Sequence, residues 1–283
     1  MERNDYPIVP KKYRVERIHP KKPEEYKAKK FTIPSWLIVI ILIFLAYGIF
    51  GLLRQTPITT EHYNTNQNVL PKLEEPREKT FHWEYENKAY SITRTFHRSI
   101  FEYYSSLPKS YKCPKYNCQE WEEDYYRMFL EQAEGDTTIF DLISNIKEAG
   151  IGLSDDEIVE FTIAFIQAIP YDNEADLSSP RYPYQVLYEN KGVCSGKTFL
   201  TILLVEELGY GIALFDYDPA IEDNAGHLVP AIKCLNKGSS LNPDYCYTEI
   251  TTTGWEIGEI PEPKFFTDLG DVTFYLIEDG KSY

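Results

Sequence analysis

Lysine and arginine are scarce in this sequence beyond its first 30 residues. Residues 1–30 contain ten Lys/Arg and five Asp/Glu, whereas residues 31–283 contain nineteen Lys/Arg and thirty-nine Asp/Glu. Proteins bind nucleic acids and anionic lipid surfaces mainly through cationic surface, which this acidic body lacks. The composition therefore argues against both as partners of the body, and a surface that keeps the protein soluble is the simpler interpretation of its charge.

Charged residues are absent altogether between Phe31 and Leu53. The stretch "SWLIVIILIFLAYGIFGLL" within this run is long enough to cross a bilayer core as one helix. We therefore predict a basic cytoplasmic tail at 1–30, a transmembrane helix at 31–53 embedded in the lipid bilayer, and an extracellular remainder, because Lys/Arg-rich flanks stay in the cytoplasm. The alternative is a cleaved signal peptide with a weak site at 46–48, but the apolar run continues beyond that site.

Cysteine is rare, and no two of the five residues have Cys-x-x-Cys spacing. Metal knuckles typically use that spacing, so a zinc site built from Cys113, Cys118 and two others is the less favoured alternative. An extracellular location favours disulfides instead. We predict that Cys113 pairs with Cys118 and Cys234 with Cys246, which leaves Cys194 as a free thiol.

The stretch "NKGVCSGKT", residues 190–198, lacks the first glycine of a phosphate-binding loop. Lys191 stands where that glycine belongs, and the preceding "YQVLYENK" is helical rather than a strand. The stretch also fits a cysteine nucleophile, because Cys194 is predicted at a helix start, where unpaired amides and the helix dipole stabilise a thiolate. Lys197, one turn into that helix, could add to the effect. A structural cysteine is the competing interpretation.

Ahead of this stretch the chain divides into two parts. Residues 54–78 are polar and show no apolar periodicity, which predicts a linker. Residues 79–150 are predicted to form a lead module. In it, "TFHWEYENKAYSIT" alternates aromatic and polar residues on both sides of a turn, as a hairpin does, and helical segments follow around 97–105 and 121–148.

Residues 151–283 carry the pattern of an α+β core. The segment "SDDEIVEFTIAFIQAIP" places Ser154 and Glu157 in capping-box spacing and ends at Pro170, which predicts a buried helix. A short helix around 184–190 and a longer one over 195–208 follow. The segments "GIALFDYD", "HLVPAIKC" and "YCYTEITTTGW" are apolar or β-branched, which predicts an antiparallel sheet after the helices.

Histidine is as rare as cysteine, and only one of the five lies in this core. A catalytic cysteine needs a histidine base and usually a third group that orients the histidine. The other four histidines are in the tail, the linker or the lead module: His19, His62, His82 and His97. His227 is therefore the candidate base.

Four segments of the core together resemble the transglutaminase-like superfamily, in particular its membrane-anchored archaeal branch. The hairpin and the segment "FHRSIFEYYSSLPKSY" also resemble the region that precedes the core in those proteins. The four segments are "FIQAIPYDNE", "PRYPYQVLYENKGVCSGKTFLTILLVEELGYGIALF", "AGHLVPAIK" and "YCYTEITTTGWEIGEIP". The resemblance runs through most of residues 151–261.

This resemblance implies a transglutaminase-like, papain-like core in which a helix carrying the cysteine packs on an antiparallel sheet. It also implies a triad of Cys, His and Asp/Glu in that chain order. Carried over to this sequence, the nucleophile is Cys194, the base is His227 and the acid is Glu249. No metal and no cofactor is implied.

The residues around the cysteine depart from the family pattern. Relatives in this branch often have acidic residues there, where this chain has Val193, Ser195 and Gly196. The family's local hydrogen bonding therefore cannot be carried over. Gln185 or Tyr184 could line an oxyanion site, although a place on the surface of the short helix is the simpler interpretation.

The acid is less secure than the other two members of the triad. If Cys234 and Cys246 faced each other across a regular hairpin, Glu249 would lie four residues, or about 13 Å, from His227 along the sheet. A bulge at Pro230, which cannot donate to the ladder, could correct this register.

The functional expectation is a membrane-anchored extracellular thiol enzyme. Cys194 would attack an amide or peptide carbonyl of a peptide or protein substrate, and the thioester would pass to water or to another amine. Hydrolysis of a peptide or isopeptide bond is favoured, because water is the abundant acceptor outside a cell. The alternative is a catalytically silent transglutaminase-like module used for binding or assembly at the cell surface. The sequence leaves the oligomeric state open.

The charge asymmetry gives a test of topology. Protease added to intact cells is expected to remove residues 54–283 and to leave the basic tail protected, because the tail is predicted to be cytoplasmic. Immunoblots against an epitope at each end measure the outcome. Protection of the C-terminal epitope in intact cells would contradict the extracellular prediction and the case for disulfides.

Overall fold

The computed structural model describes nine segments of the chain. The predicted transmembrane helix at 31–53 and the predicted Cys113–Cys118 disulfide lie outside them. Inside them, no helix has both the length and the apolar character needed to cross a membrane. The described residues are 16–17, 70–110, 121–133, 136–176, 179–217, 226–235, 237–238, 242–261 and 272–283.

The described residues form an α+β fold with two antiparallel sheets. Strands β2 and β3 form a hairpin, and the other five strands form the second sheet in the order β1-β7-β4-β5-β6. In chain order, the elements are β1 (Glu16–Arg17), β2 (Pro76–Tyr85), β3 (Lys88–His97), α1 (Arg98–Ser106), α2 (Trp121–Glu131), α3 (Thr137–Ala149), α4 (Asp155–Ala168), α5 (Pro183–Glu189), α6 (Cys194–Glu207), β4 (Ile212–Tyr217), β5 (His227–Lys233), β6 (Tyr245–Tyr247) and β7 (Val272–Glu278).

The hairpin predicted from aromatic alternation is confirmed. Its two turn residues, 86 and 87, both have positive φ, which matches the twist of a two-residue hairpin turn. On the buried face, Phe81 and Trp83 pack with their ring centroids 5.4 and 5.5 Å from that of Phe165 on α4. Alternation thus places one face of the hairpin against the buried helix.

Helix α4 begins and ends where its capping signals predict. Ser154 Oγ accepts from the Glu157 amide at 3.3 Å, and the Glu157 carboxylate accepts from the Ser154 amide at 2.6 Å. The helix ends at Ala168, before Pro170. Most of its side chains are buried, so it lies inside the molecule rather than on its surface.

Three details of the sequence prediction differ from the structure. Residues 121–148 contain two helices, because Asp136 caps a new helix by accepting from the Thr138 amide at 2.9 Å. The last predicted strand, "YCYTEITTTGW", is regular only over Tyr245–Tyr247. Strand β7 was not predicted; it pairs with β4 on one side and with β1 on the other. The pairing with β1 places Glu16–Arg17 in the same sheet as the body, which conflicts with the predicted cytoplasmic location of residues 1–30.

Helix α6 is the element against which the sheet packs. Every side chain from Cys194 to Glu206 except Ser195 is buried. Thr198 Oγ1 donates to the Leu228 carbonyl of β5 at 2.9 Å, which ties the first turn of the helix to the first residues of that strand. The helix start and the start of β5 are therefore held side by side.

The Cys234–Cys246 disulfide is confirmed, but the register predicted from it is wrong. Ile232, not Cys234, is opposite Cys246, and the Cys234 amide donates to the Asp244 carbonyl. The disulfide therefore joins residues that are offset by two along the ladder. Continued past β6, this register places Glu249 two residues from His227 rather than four, on the same face of the sheet, without a bulge at Pro230.

Side chains from both sheets and from the helices belong to one hydrophobic cluster. It contains Phe96 of the hairpin, Phe129 of α2, Phe199 of α6 and Tyr275 of β7. The phenyl rings of Phe129 and Phe199 stack with centroids 4.6 Å apart. The predicted lead module and the predicted core thus bury apolar surface against each other, and the boundary at 150 stays a prediction.

The disulfide gives the fold its clearest stability test. Replacing Cys234 and Cys246 together by Ser is expected to lower the free energy of unfolding by about 3 kcal/mol, because the cross-link restricts the unfolded chain. Urea unfolding of both proteins, followed by tryptophan fluorescence, measures the difference. An unchanged free energy of unfolding would contradict the expectation, and peptide mapping without reductant checks that the wild-type bond is present.

Candidate active site

Cys194 is the first residue of α6 and is not in a disulfide. The preceding residue, Val193, is in extended conformation and provides no side-chain cap, so the first amides of the helix remain available near the thiol. Cys194 is 9% exposed. The thiol thus sits at the edge of the core, with a small part of its surface open.

The backbone before Cys194 is held by the segment that follows α4. The Asp172 amide donates to the Gly192 carbonyl, and the Gly192 amide donates to the Pro170 carbonyl, both at 3.1 Å. The buried Asp172 carboxylate lies 2.7 Å from Arg181 and 3.0 Å from Lys191. These two cations, Lys191 first, hold the pKa of Asp172 below its usual value. These ion pairs therefore restrain the loop that precedes Cys194.

The two glycines of "GVCSG" are required by close packing. A Cβ at Gly196 would lie 3.0 Å from a Val186 methyl group and 3.2 Å from the Arg181 carbonyl oxygen. A Cβ at Gly192 would lie 3.2 Å from both Val186 and Lys197. Glycine at these positions therefore lets the start of α6 approach α5. The phosphate-loop interpretation has no support here, since helix α5 precedes the stretch instead of a strand.

His227 is the first residue of β5 and is opposite Tyr217 of β4. Its Nε2 lies 3.7 Å from Glu249 Oε2, a separation that corresponds to an ion pair rather than a hydrogen bond. The imidazole also interacts with the Cys194 thiol. The structure therefore brings together the three residues that the sequence predicted as a triad.

Glu249 lies just beyond β6 and is 3% exposed. Tyr247 Oη donates to its Oε2 at 2.7 Å. The Thr251 amide donates to its Oε1 at 2.7 Å, and the Thr251 hydroxyl donates to the same oxygen. A buried carboxylate needs such donors to remain ionised. The chain supplies them from residues two positions before and two positions after the acid.

The electrostatics of the three groups favour a thiolate–imidazolium pair. Burial disfavours the thiolate, but His227 and the amides of Leu228 and Ser195 outweigh it, so the pKa of Cys194 lies below its ordinary value. Burial also disfavours the imidazolium, but Cys194 and Glu249 raise the pKa of His227 to about 9. The pair is then populated from the lowered thiol pKa up to about pH 9.

Glu249 is ionised throughout that pH range. Burial raises the pKa of a carboxyl group, but His227, Thr251 and Tyr247 together lower the pKa of Glu249 to about 2. Strongly perturbed pKa values that converge in one cluster are typical of functional sites. The arrangement can therefore supply a nucleophile, a proton carrier and a fixed negative charge.

Lys197 does not assist the thiol as the sequence analysis suggested. Its side chain is fully buried, and its Nζ donates to the carbonyls of Ile169 at 2.8 Å and Gln167 at 3.4 Å, at the end of α4. Desolvation lowers the pKa of Lys197 to about 8. These hydrogen bonds join α6 to the C-terminal end of α4, where a cation is also favourable.

Neither oxyanion candidate from α5 is bonded to the site. Gln185 Oε1 accepts from the Tyr182 amide at 3.1 Å, and its Nε2 donates to Ser105 Oγ at 2.9 Å. Tyr184 Oη donates to the His97 carbonyl at 3.1 Å. Both side chains are buried and join α5 to the hairpin and α1, so the expectation that they lie on the surface is also wrong.

The sequence did not identify several neighbours of the site: Tyr247 and Thr251, which donate to Glu249, and also Tyr171 and Gln167. Tyr171 forms a bridge with Gly192, is 37% exposed, and its hydroxyl interacts with Cys194. Gln167 was visible as a polar residue within the apolar run "FTIAFIQAIP". Among the residues that the structure describes, no group of three His, Cys, Asp or Glu side chains is arranged to hold a metal ion.

The thiol pKa can be tested directly. The rate of iodoacetamide labelling of Cys194 is expected to have a pH midpoint below the free-cysteine value of about 8.5, because His227 stabilises the thiolate. His227→Ala should move the midpoint upward, and Glu249→Gln should move it less, because an orienting acid acts through the imidazole. Mass spectrometry of the labelled peptide measures the rate. A wild-type midpoint at the free-cysteine value, unchanged in His227→Ala, would identify a structural cysteine.

Comparison with known proteins adds little to this geometry. No protein-family model matches the chain, and no curated protein matches it. Among solved structures, the chain is similar to the crystal structure of a candidate protease from Parabacteroides distasonis, with a TM-score of 0.34 and 10% sequence identity. The similarity covers 66% of this chain and only 43% of that protein. Similarity this weak carries no argument about fold or function.

Proposed function

We propose that this protein is a membrane-anchored, transglutaminase-like thiol enzyme that cleaves amide bonds of peptides or proteins outside the cell. The observation that carries the proposal is the buried cluster in which Cys194, His227 and Glu249 interact. Its helix–sheet setting, with the cysteine at a helix start and the histidine on the adjacent strand, is the arrangement that the family resemblance implies. The predicted helix at 31–53 supplies the anchor.

The chemistry follows from the protonation states. The Cys194 thiolate attacks the amide carbon, and the oxyanion that forms lies near the amides at the start of α6. The C–N bond then breaks, and the His227 imidazolium gives its proton to the departing amine. A thioester remains on Cys194, and the imidazole is now neutral.

The second half of the reaction restores the enzyme. Neutral His227 takes a proton from a water molecule as that water attacks the thioester carbon. The C–S bond breaks, which releases a carboxylic acid and returns the thiolate–imidazolium pair. If an amine attacks instead of water, the same steps produce a new amide, so transfer and hydrolysis share one intermediate. Glu249 keeps the imidazole oriented and stabilises its charge in both halves.

One observation favours the catalytically silent alternative. Cys194 is only 9% exposed, so little of the residue is open to a substrate carbonyl. A module of this fold that only bound a partner would have no need of an accessible thiol. Against that alternative stand the lowered pKa of Cys194 and the raised pKa of His227, because a thiol with a lowered pKa beside a histidine is typical of a reactive cysteine.

Activity measurements separate the two candidates. With a fluorescence-quenched protein substrate, Cys194→Ala and His227→Ala are each expected to reduce hydrolysis by about 10³-fold or more, because nucleophile and base act as a unit. Glu249→Gln should reduce it less, because it leaves both reacting groups in place. Incorporation of a fluorescent primary amine, measured in parallel, reports transfer.

The control is Gln185→Met, which alters a buried polar side chain whose bonds run to other parts of the molecule. Folding of every variant is checked by thermal unfolding. Activity that survives in Cys194→Ala would show that another group performs the reaction. Absence of both activities in the wild type, together with an ordinary thiol pKa, would favour the silent module.

A further inference from the structure

The backbone at Glu249 is irregular, because β6 ends two residues before it. The last ladder contact is the Thr248 amide, which donates to the Pro230 carbonyl at 3.1 Å. Beyond it, residues 249–255 form no strand or helix. Glu249 and Ile250 are buried, whereas residues 252–254 are exposed, so the buried start of this segment needs partners outside regular structure for its backbone groups.

Gln167 supplies three of these partners from the last turn of α4. Its Nε2 donates to the carbonyls of Glu249 and Trp255, each at 2.8 Å. Its Oε1 accepts from the Gly254 amide at 3.2 Å. Both ends of the segment are thus bonded to one side-chain amide, which is 6% exposed.

The end of α4 is in turn bonded to the helix that carries the cysteine. Lys197 Nζ donates to the carbonyls of Gln167 and Ile169. A continuous chain of hydrogen bonds therefore runs from α6 through Lys197 and Gln167 to the backbone of Glu249. The start of α6 and the position of the acid are therefore coupled by these side chains as well as by the sheet.

We propose that Gln167 is a positioning residue that holds the Glu249 carboxylate against His227. The inference rests on the proposed function, since it assigns Gln167 to the same site. Gln167 itself touches neither the thiol nor the imidazole in the contacts described, so it acts through the backbone of Glu249. Losing its amide leaves two carbonyls and one amide of the 249–255 segment without this partner, and the segment is then free to move away from β5.

The titratable groups around Glu249 determine which pKa values would change if this carboxylate moved. The titratable groups that interact with Glu249 are Tyr171, Lys197, Tyr217, His227 and Tyr247. The two tyrosines of the sheet and Lys197 remain in place when the 249–255 segment shifts. The change is therefore expected at His227 and, through it, at Cys194.

The test compares two buried glutamines in the full-length protein. Gln167→Met removes the amide at the site, and Gln185→Met removes an equally buried amide whose bonds run to Tyr182 and Ser105. Gln167→Asn is a milder variant that keeps the amide but shortens its reach, in case the methionine variant does not fold. The readouts are the NMR titration of the His227 imidazole and the pH profile of iodoacetamide labelling at Cys194.

In Gln167→Met, the His227 pKa is expected to fall by about one unit, because the imidazolium loses part of the Glu249 charge. Labelling at pH 6 should slow about tenfold, because His227 is still protonated at that pH but is no longer oriented toward the thiolate. Gln167→Asn should show a smaller change in the same direction. Gln185→Met should leave both readouts at their wild-type values, whatever its effect on thermal stability. These three results together would support the inference.

Three other outcomes would contradict either the positioning role of Gln167 or the proposed function. Folded Gln167 variants with wild-type values of both readouts would overturn the positioning role and leave the proposed function intact. Equal shifts in the Gln167 and Gln185 variants would also overturn it, since they would reflect a general loosening of the core. A wild-type protein with an ordinary thiol pKa would instead refute the proposed function, on which this inference rests.

Discussion

The burial of an ion pair where one helix meets one sheet is the constraint on which the rest of this structure depends. Removing Cys194, His227 and Glu249 from water disfavours their charged forms, so each charge has to be compensated by a neighbour. The thiolate has His227 and two backbone amides, the imidazolium has both anions, and the carboxylate has Thr251 and Tyr247. None of these compensations works unless the three groups are held within a few ångströms.

The fold meets that requirement with few regular elements near the acid. The N-terminus of the buried helix α6 lies beside β5, and the hydrogen bond from Thr198 to Leu228 fixes the position of the helix along that strand. The charge network around Asp172 fixes the loop before the helix. Glu249 lies beyond the end of β6, and its backbone carbonyl accepts a hydrogen bond from the Gln167 side chain. The site is thus built from packed helices on the cysteine side and from side-chain hydrogen bonds on the acid side.

This asymmetry has a consequence for reactivity. Cys194 and His227 are attached to elements whose displacement would open the hydrophobic core, whereas Glu249 is attached to a segment that a few polar bonds hold. The orientation of the imidazole is therefore the property of the site that is easiest to change. Cys194 itself is largely buried, and Tyr171, which forms a bridge with Gly192, is among its neighbours.

Local signals in the sequence determined much of the fold. The aromatic alternation of the hairpin and the Ser154 capping box each specify a structure through contacts within a few residues, and the lone core histidine identified His227. The separation of Glu249 from His227, the direction of Lys197 and the role of Gln167 were decided only by the tertiary structure. Each depends on partners between about 20 and 90 residues away. The position of Glu249 depends on the register of β5 and β6. Because the disulfide joins residues that are offset along the ladder rather than opposed, this register differs by two residues from the one expected for opposed cysteines. No local pattern records such an offset, because it depends on the pairing of β5 with β6, which are separate strands of the sheet.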